Sequence, residues 1–252
     1  MNSKPLDLWY AYPDDLLDAG TAQACAALLT AQEQERWQRY KFDKHQRESL
    51  ATRALARTAL SHRRTVAPDA WRFKENQYGK PFLDPDCGLQ FNLSNSVGLV
   101  LCLVAEDVQV GVDVESHMRA PQILTVVERV FSSAERAQLD DLEYDAKLDR
   151  VLSLWTLKEG YIKARGMGLA LPLEKISFLF DSNGIRLEID PGVDSNPDRW
   201  QFCSFDHAGH RLAVVVEQES TPEMNLWQTR PLLAAPSYLG AARAQWFPTK
   251  IN

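Results

Sequence analysis

The chain lacks any pair of cysteines at metal-site or disulfide-framework spacing. Its four cysteines, Cys25, Cys87, Cys102 and Cys203, are scattered with no CxxC among them. That argues against thiolate metal sites and against a stapled secreted fold. The five histidines form no HxxxH or HxH pair, so none is assigned to a metal. There is no GxSxG, Walker A or GxGxxG pattern. No apolar run is long enough to span a bilayer. The first residues, MNSKPLDLWYAYPDD, lack the basic-then-apolar order of a secretory signal. Basic charge is not in surplus: the net charge is -6, which excludes a general nucleic-acid binder. The expectation is a soluble cytoplasmic protein with no nucleic-acid or membrane partner.

What is present is enough apolar material for a real core. With 252 residues and a 45% hydrophobic fraction, the chain suits one large domain or two small ones. Residues 31–63 read as one long helix or two, from Trp37, Tyr40, Leu50, Ala54, Leu55 and Leu60 near helical spacing. WRFKENQYGKPFL (71–83) reads as strand, turn and strand. Residues 97–105 and 108–115 read as a hairpin about Glu106-Asp107. A similar order follows. Residues 121–165 supply helices, ISFLFDSNGIRLEI (176–189) is a hairpin with an Asn-Gly turn, and 200–217 is another turning at Ala208-Gly209. LQFNLSNSVGLVLCLVAE and WQFCSFDHAGHRLAVVVE align without a gap. The chain therefore reads as two copies of a helix-then-sheet unit, 1–110 and 111–221, with an extension at 222–252 that belongs to neither. The extension either covers a surface or is partly mobile.

Charged residues that suit chemistry fall in a few places. In GVDVE (111–115), strand alternation turns Val112 and Val114 inward and sets Asp113 and Glu115 together on the other face, about 7 Å apart. Two such carboxylates suit a Mg²⁺ ion, or the exposed face of an edge strand. In LWTLKEGYIKARGMGL (154–169), Glu159 and Lys163 share a helix face, as an ion pair or as part of a site. Trp155 and Ile162 read as core, and Gly166 and Gly168 as the helix stop. Ser132 and Glu135 have capping-box spacing, which is favoured over catalysis for Glu135. Between residues 36 and 64, basic side chains outnumber Asp43 and Glu48, as a solvated face or a local anion site. Three carboxylates with lysines and a Gly-Lys-Pro turn make up a site for a metal-bound diphosphate.

Taken together, GKP (79–81), FNLSNS (91–96), GVDVE (111–115), FSSAE (131–135) and WTLKEGYIKARGMGL (155–169) resemble the motifs of the Sfp-type 4′-phosphopantetheinyl transferases, in order and separation, over roughly residues 5–217. The resemblance implies an α+β pseudo-dimer of two similar helix-plus-antiparallel-sheet halves. It implies transfer of the phosphopantetheine arm of coenzyme A to a serine of an apo acyl or peptidyl carrier protein, with Mg²⁺ required and 3′,5′-ADP released. By position it makes Asp113, Glu115 and Glu159 the metal ligands, Lys163 a contact of the coenzyme A diphosphate, and Glu159 a candidate base. Gly79, Lys80, Pro81, Asn92, Ser94 and Asn95 fall at the coenzyme A site, Lys80, Ser94 and Asn95 toward its 3′-phosphate and adenosine end. One or more of Lys44, Arg47 and Arg53 assist there. Asn95 stands where the family usually has histidine, so the 3′-phosphate loses a chargeable partner. Because both halves lie in one chain, a monomer is expected. A non-catalytic coenzyme A binder, a carrier-binding scaffold and a Mg²⁺-dependent diphosphate hydrolase are the other readings.

Overall fold

In this computed structural model, residues 4–182, 184–230, 232–241 and 244–248 are described. The chain lays down one pattern twice. Strand β1 (Leu6–Ala11) leads through helices α1 (Ala19–Ala26) and α2 (Ala31–Gln38) to the long helix α3 (Asp43–Arg63). A short hairpin follows, β2 (Phe73–Glu75) and β3 (Pro81–Leu83), then a long one, β4 (Leu89–Ser96) and β5 (Leu99–Glu106). Strand β6 (Val110–Ser116) reopens the pattern. Helices α4 (Ala120–Leu124), α5 (Val127–Val130) and α6 (Ser133–Ala137) lead to the long helix α7 (Tyr144–Arg165). Again a short hairpin, β7 (Ile176–Asp181) and β8 (Gly184–Ile189), precedes a long one, β9 (Trp200–His207) and β10 (His210–Glu217).

The gapless alignment of 89–106 with 200–217 is therefore structural: all four strands have 8 residues. Ala208 (φ 49) and Gly209 (φ 73) both take the left-handed conformation, which matches a tight hairpin turn to strand twist. Asn183, in the other expected turn, lies outside the described residues.

The expected hairpin of 97–105 with 108–115 does not form. Both edges of β5 are already occupied, by β4 and β1, so the chain must leave the sheet after Glu106. It turns at Asp107 (φ 50) and enters the second sheet as β6, beside β10.

The two sheets lie between the two long helices. Along β1 and β5 the side chains alternate: Leu8, Leu101 and Leu103 face the other sheet, while Trp9, Cys102 and Val104 face α3. Val112 and Val114 of β6 and Val214 of β10 complete the inter-sheet layer. Strands buried on both faces read as continuous apolar runs, which is why LVLCLVA shows no alternation. The apolar face of α7 packs within the second half. Leu154, Leu157 and Tyr161 join Trp200, Phe202 and Val215 in the core of the second half.

Over its described residues the tail joins both sheets. Strand β11 (Met224–Gln228) runs parallel to β1, and β12 (Ser237–Ala241) pairs with β11. Strand β13 (Trp246–Pro248) pairs with β9. The sheet orders are β12-β11-β1-β5-β4 and β13-β9-β10-β6. Among the described residues no helix is long and apolar enough to cross a membrane.

Candidate active site

The charges of α7 divide by direction. Lys158 points into the core of its own half. Its ammonium donates to Leu173 O at 2.6 Å and Ile176 O at 2.5 Å and pairs with Glu135 at 2.8 Å. Glu135, wholly buried, also closes a capping box with Ser132 and accepts from Phe178 N. It is a cap and a core ion-pair partner. Arg165 turns to Asp194 at 3.0 Å. That leaves Glu159 and Lys163 on the side facing β6 and the first half.

β6 brings the other two carboxylates to them. Asp113 and Glu115 are buried, at 5% and 7% exposure. The Lys163 ammonium lies 2.7 Å from Asp113 Oδ1 and 2.8 Å from Ser94 Oγ. Arg119 NH1 holds Glu115 Oε1 at 2.7 Å. Burial, then the charge of Asp113, raises the pKa of Glu115 against the pull of Arg119. Burial and Asp113 likewise raise that of Glu159, with Lys163 opposing and Glu115 adding a smaller push.

The three carboxylates thus feel one another, yet among the described residues they are not drawn into a three-donor metal group. Lys163 takes one oxygen of Asp113 and Arg119 takes one of Glu115. Two cations against three carboxylates leave a deficit of positive charge. Among the described residues, the buried Asp113 Oδ2 has no hydrogen-bond partner. The donor set, hard oxygens short of cationic partners, fits a divalent cation.

A groove runs from these residues into the first half. A cavity of about 280 Å³ is lined by Gly79, Lys80, Asn92, Glu159, Lys163 and Gly166, among others. It shares Gly79, Pro81 and Leu93 with a cavity of about 370 Å³ that adds Tyr40, His45, Ser49, Arg53 and Asn95. That one shares Arg53, Glu75 and Pro81 with a third, about 530 Å³, bearing Arg36, Arg72, Phe73 and Lys74. Arg36 is paired with Glu75 and Lys74 with Asp84. Arg53 is half-buried, faces the second and third of these cavities, and has no carboxylate within ion-pair distance among the described residues.

Of the candidates from the sequence, Glu159, Lys163, Gly79, Lys80, Pro81, Asn92, Asn95 and Arg53 line the groove. Asp113 and Ser94 stand behind Lys163. Lys44 and Arg47 line none of the three cavities, and Lys44 sits 3.9 Å from Glu48. The Lys80 ammonium is turned to the second half, reaching Ala164 O at 3.0 Å and Val110 O and Gln109 Oε1 at 3.3 Å. Burial pushes its pKa down to about 8, against a weaker opposing pull from Glu217. The sequence reading singled out neither Arg36 nor Arg72 as a site residue. Arg36 lies in the basic segment, while Arg72, just before β2, carries no signal of its own.

A two-half α+β protein with carboxylates and a lysine at its seam, and an arginine-bearing groove leading away, is built to hold an extended polyanion. Family models described as "4′-phosphopantetheinyl transferase, N-terminal" and "4′-phosphopantetheinyl transferase superfamily" match residues 19–107 and 109–215. A phosphopantetheinyl transferase of Thraustochytrium sp. is 30% identical, over 76% of this chain and 71% of its own. A 4′-phosphopantetheinyl transferase of Bacillus subtilis is 29% identical over 74% of this chain and 83% of its own. Sfp of Bacillus subtilis is 26% identical over 86% and 95%. Among solved structures, a holo-(acyl-carrier-protein) synthase from Bacillus anthracis is 22% identical with a TM-score of 0.39, covering 44% of this chain and 96% of its own. The chain belongs to the 4′-phosphopantetheinyl transferase superfamily.

Proposed function

We propose that this chain transfers the 4′-phosphopantetheine arm of coenzyme A to a serine of an apo acyl or peptidyl carrier protein. The observation that carries this is the row of adjoining cavities, with Glu159 and Lys163 in one and Arg53 in the next, that share Gly79, Pro81 and Leu93. It offers a diphosphate position at one end and a cationic position at the other, as coenzyme A requires. Lys163 holds the diphosphate and Arg53, with Arg36 and Arg72, holds the 3′-phosphate end. Asp113, Glu115 and Glu159 would hold a Mg²⁺ ion, which when bound supplies Lewis-acid polarisation of the diphosphate.

The carrier serine Oγ attacks the pantetheine-side phosphorus. The bond from that phosphorus to the bridging oxygen breaks, and its electron pair leaves with 3′,5′-ADP. The serine proton passes to the Glu159 carboxylate, which lines the seam cavity beside Lys163. Lys163 stabilises charge building on the diphosphate, so catalysis is mainly positioning and electrostatics. A monomer in the cytoplasm is part of the same proposal, because one chain supplies both walls of the groove.

The test is mass spectrometry of an apo carrier protein incubated with coenzyme A, Mg²⁺ and the enzyme, wild type beside Glu159→Ala. The expected result is a gain of one phosphopantetheine, lost in the variant and with chelator. Release of 3′,5′-ADP without carrier would instead indicate a diphosphate hydrolase. Coenzyme A binding with no transfer to any carrier type would indicate a non-catalytic binder.

A further inference from the structure

β6 and β4 are edge strands of different sheets and face each other. No backbone ladder joins them among the described residues. Alternate side chains of β4 reach the amides of β6 instead. Asn92 Oδ1 accepts from Val112 N at 2.8 Å, Ser94 Oγ from Val114 N at 3.2 Å, and Ser96 Oγ from Ser116 N at 3.1 Å. Both strands advance by two at each rung, so they run parallel at a fixed offset. These are the amides that face away from β10, and buried N–H groups need a partner.

The same hydroxyls hold the carboxylates between the rungs. Ser94 Oγ donates to Asp113 Oδ1 at 2.9 Å, and Ser96 Oγ to Glu115 Oε2 at 3.3 Å. Lys163 Nζ donates to Ser94 Oγ. A serine hydroxyl has one proton and two lone pairs. Ser94 gives its proton to Asp113 and accepts from Val114 N and Lys163 Nζ. Its proton and both lone pairs are therefore engaged by β6 and Lys163.

We infer that Ser94 and Ser96 are positioning residues that fix β6 in register against β4 and orient Asp113 and Glu115. Strand alternation splits FNLSNS into two faces. Asn92, Ser94 and Ser96 address β6, Asn92 also lining the seam cavity, while Leu93 and Asn95 turn to the groove. The catalytic consequence rests on the transferase function; the register does not.

The experiment compares full-length wild type with Ser94→Ala, Ser94→Thr and Ser96→Ala. It reads amide hydrogen exchange at Val114 and Ser116, coenzyme A affinity in chelator, and kcat and KM for transfer. For Ser94→Ala the expectation is faster exchange at Val114 by at least about tenfold, with β10 amides unchanged. Coenzyme A affinity in chelator stays within about twofold, and kcat falls about 10- to 100-fold with KM for coenzyme A little changed. Ser94→Thr keeps the hydroxyl and restores Val114 protection. Val114 protection kept in Ser94→Ala, with coenzyme A affinity in chelator reduced about tenfold, would make Ser94 a phosphate ligand and overturn the inference. So would unchanged exchange and kcat. If Ser94→Ala does not fold, Ser96→Ala decides by the same criteria at Ser116. A wild type that neither binds coenzyme A nor transfers would overturn the transferase function, while exchange at Val114 and Ser116 still decides the register.

Discussion

Gly111 of β6 and Gly160 of α7 touch backbone to backbone. A Cβ on Gly111 would overlap the carbonyl oxygen of Gly160 and stand 2.5 Å from the amide nitrogen of Ala164. This contact lowers the helix onto the strand so that Glu159 and Lys163, its neighbours on α7, reach the level of Asp113. Backbone cannot move aside as a side-chain tip can. Gly111→Ala is therefore expected to destabilise by about 3 kcal/mol or more and to separate the carboxylates. Gly160→Ala meets only the tip of Val215, at 3.2 Å, and is expected to cost about 1 kcal/mol. Urea denaturation of the two variants checks the order; equal stabilities would remove the close-approach account.

Arg53 faces two cavities with no carboxylate partner among the described residues, whereas Lys44 is paired along its own helix and Arg47 faces neither cavity. Arg53→Ala is expected to weaken coenzyme A binding about 10- to 100-fold, as loss of a charge-assisted hydrogen bond does. Lys44→Ala and Arg47→Ala are expected to change it less than about threefold. Calorimetric titration at fixed salt distinguishes them, and equal effects from all three would mean diffuse basic attraction rather than a seat for phosphate.

Asp194 binds Tyr161 and Arg165 of α7, Trp200 of β9, and Arg199. Burial works against its ionisation, but Arg199, Trp200, the Asn196 amide and Tyr161 outweigh it and hold its pKa at about 2. A depressed carboxylate contributes stability that is fully present above its unfolded value, near 3.8, and lost as pH falls toward 2. Asp194→Ala is expected to cost about 3–5 kcal/mol at pH 7, because Arg165 and Arg199 lose their common partner. The gap to wild type should narrow below pH 3.8 in urea denaturation; a gap independent of pH would leave only packing as its cause.

Features with a periodic signature were legible in the sequence. GVDVE showed its two faces because a strand alternates, and 89–106 matched 200–217 because both are hairpins of one length. Three features were hidden because they depend on which strands are edges. Glu106-Asp107 looks like a hairpin turn until both edges of β5 are known to be filled. The bond of Ser94 to β6 stays hidden until β6 is known to need acceptors from β4. The tail looks unattached because β11 joins the edge of β1, with Met224 beside Leu6, and β13 joins the edge of β9, with Trp246 beside Cys203, and no local pattern announces either pairing. Lys158 and Glu159 are adjacent in sequence, yet only packing reveals that one enters the core and the other the groove.

Lys80 carries a charge where burial disfavours it, with a pKa of about 8 against an ordinary 10.5. Between those values the unfolded chain binds more protons than the folded one, so stability from this residue rises with pH across that window. Below pH 8 the full cost of burying the ammonium is present in the folded state. Wild type is accordingly expected to gain on Lys80→Met as pH goes from 7 to 9.5. Paired urea titrations at the two pH values measure this, and a constant difference would show that the three acceptors around the ammonium cancel its desolvation.

Asn95 lines the middle cavity with His45, Ser49 and Arg53, and it is exposed. As an amide it offers hydrogen bonds but no charge, so its help to a phosphate does not change across neutral pH. A histidine there would gain charge below a pKa near 6.5. Asn95→His is expected to tighten coenzyme A binding about 3- to 10-fold at pH 6, a modest gain because the position is open to solvent. At pH 8 the neutral imidazole should give little change. Titrations at both pH values separate charge from shape: tightening at pH 6 alone places a phosphate beside residue 95. Equal tightening at both would assign the gain to packing. No change at either would move the phosphate toward Arg36 and Arg72, at the far end of the groove.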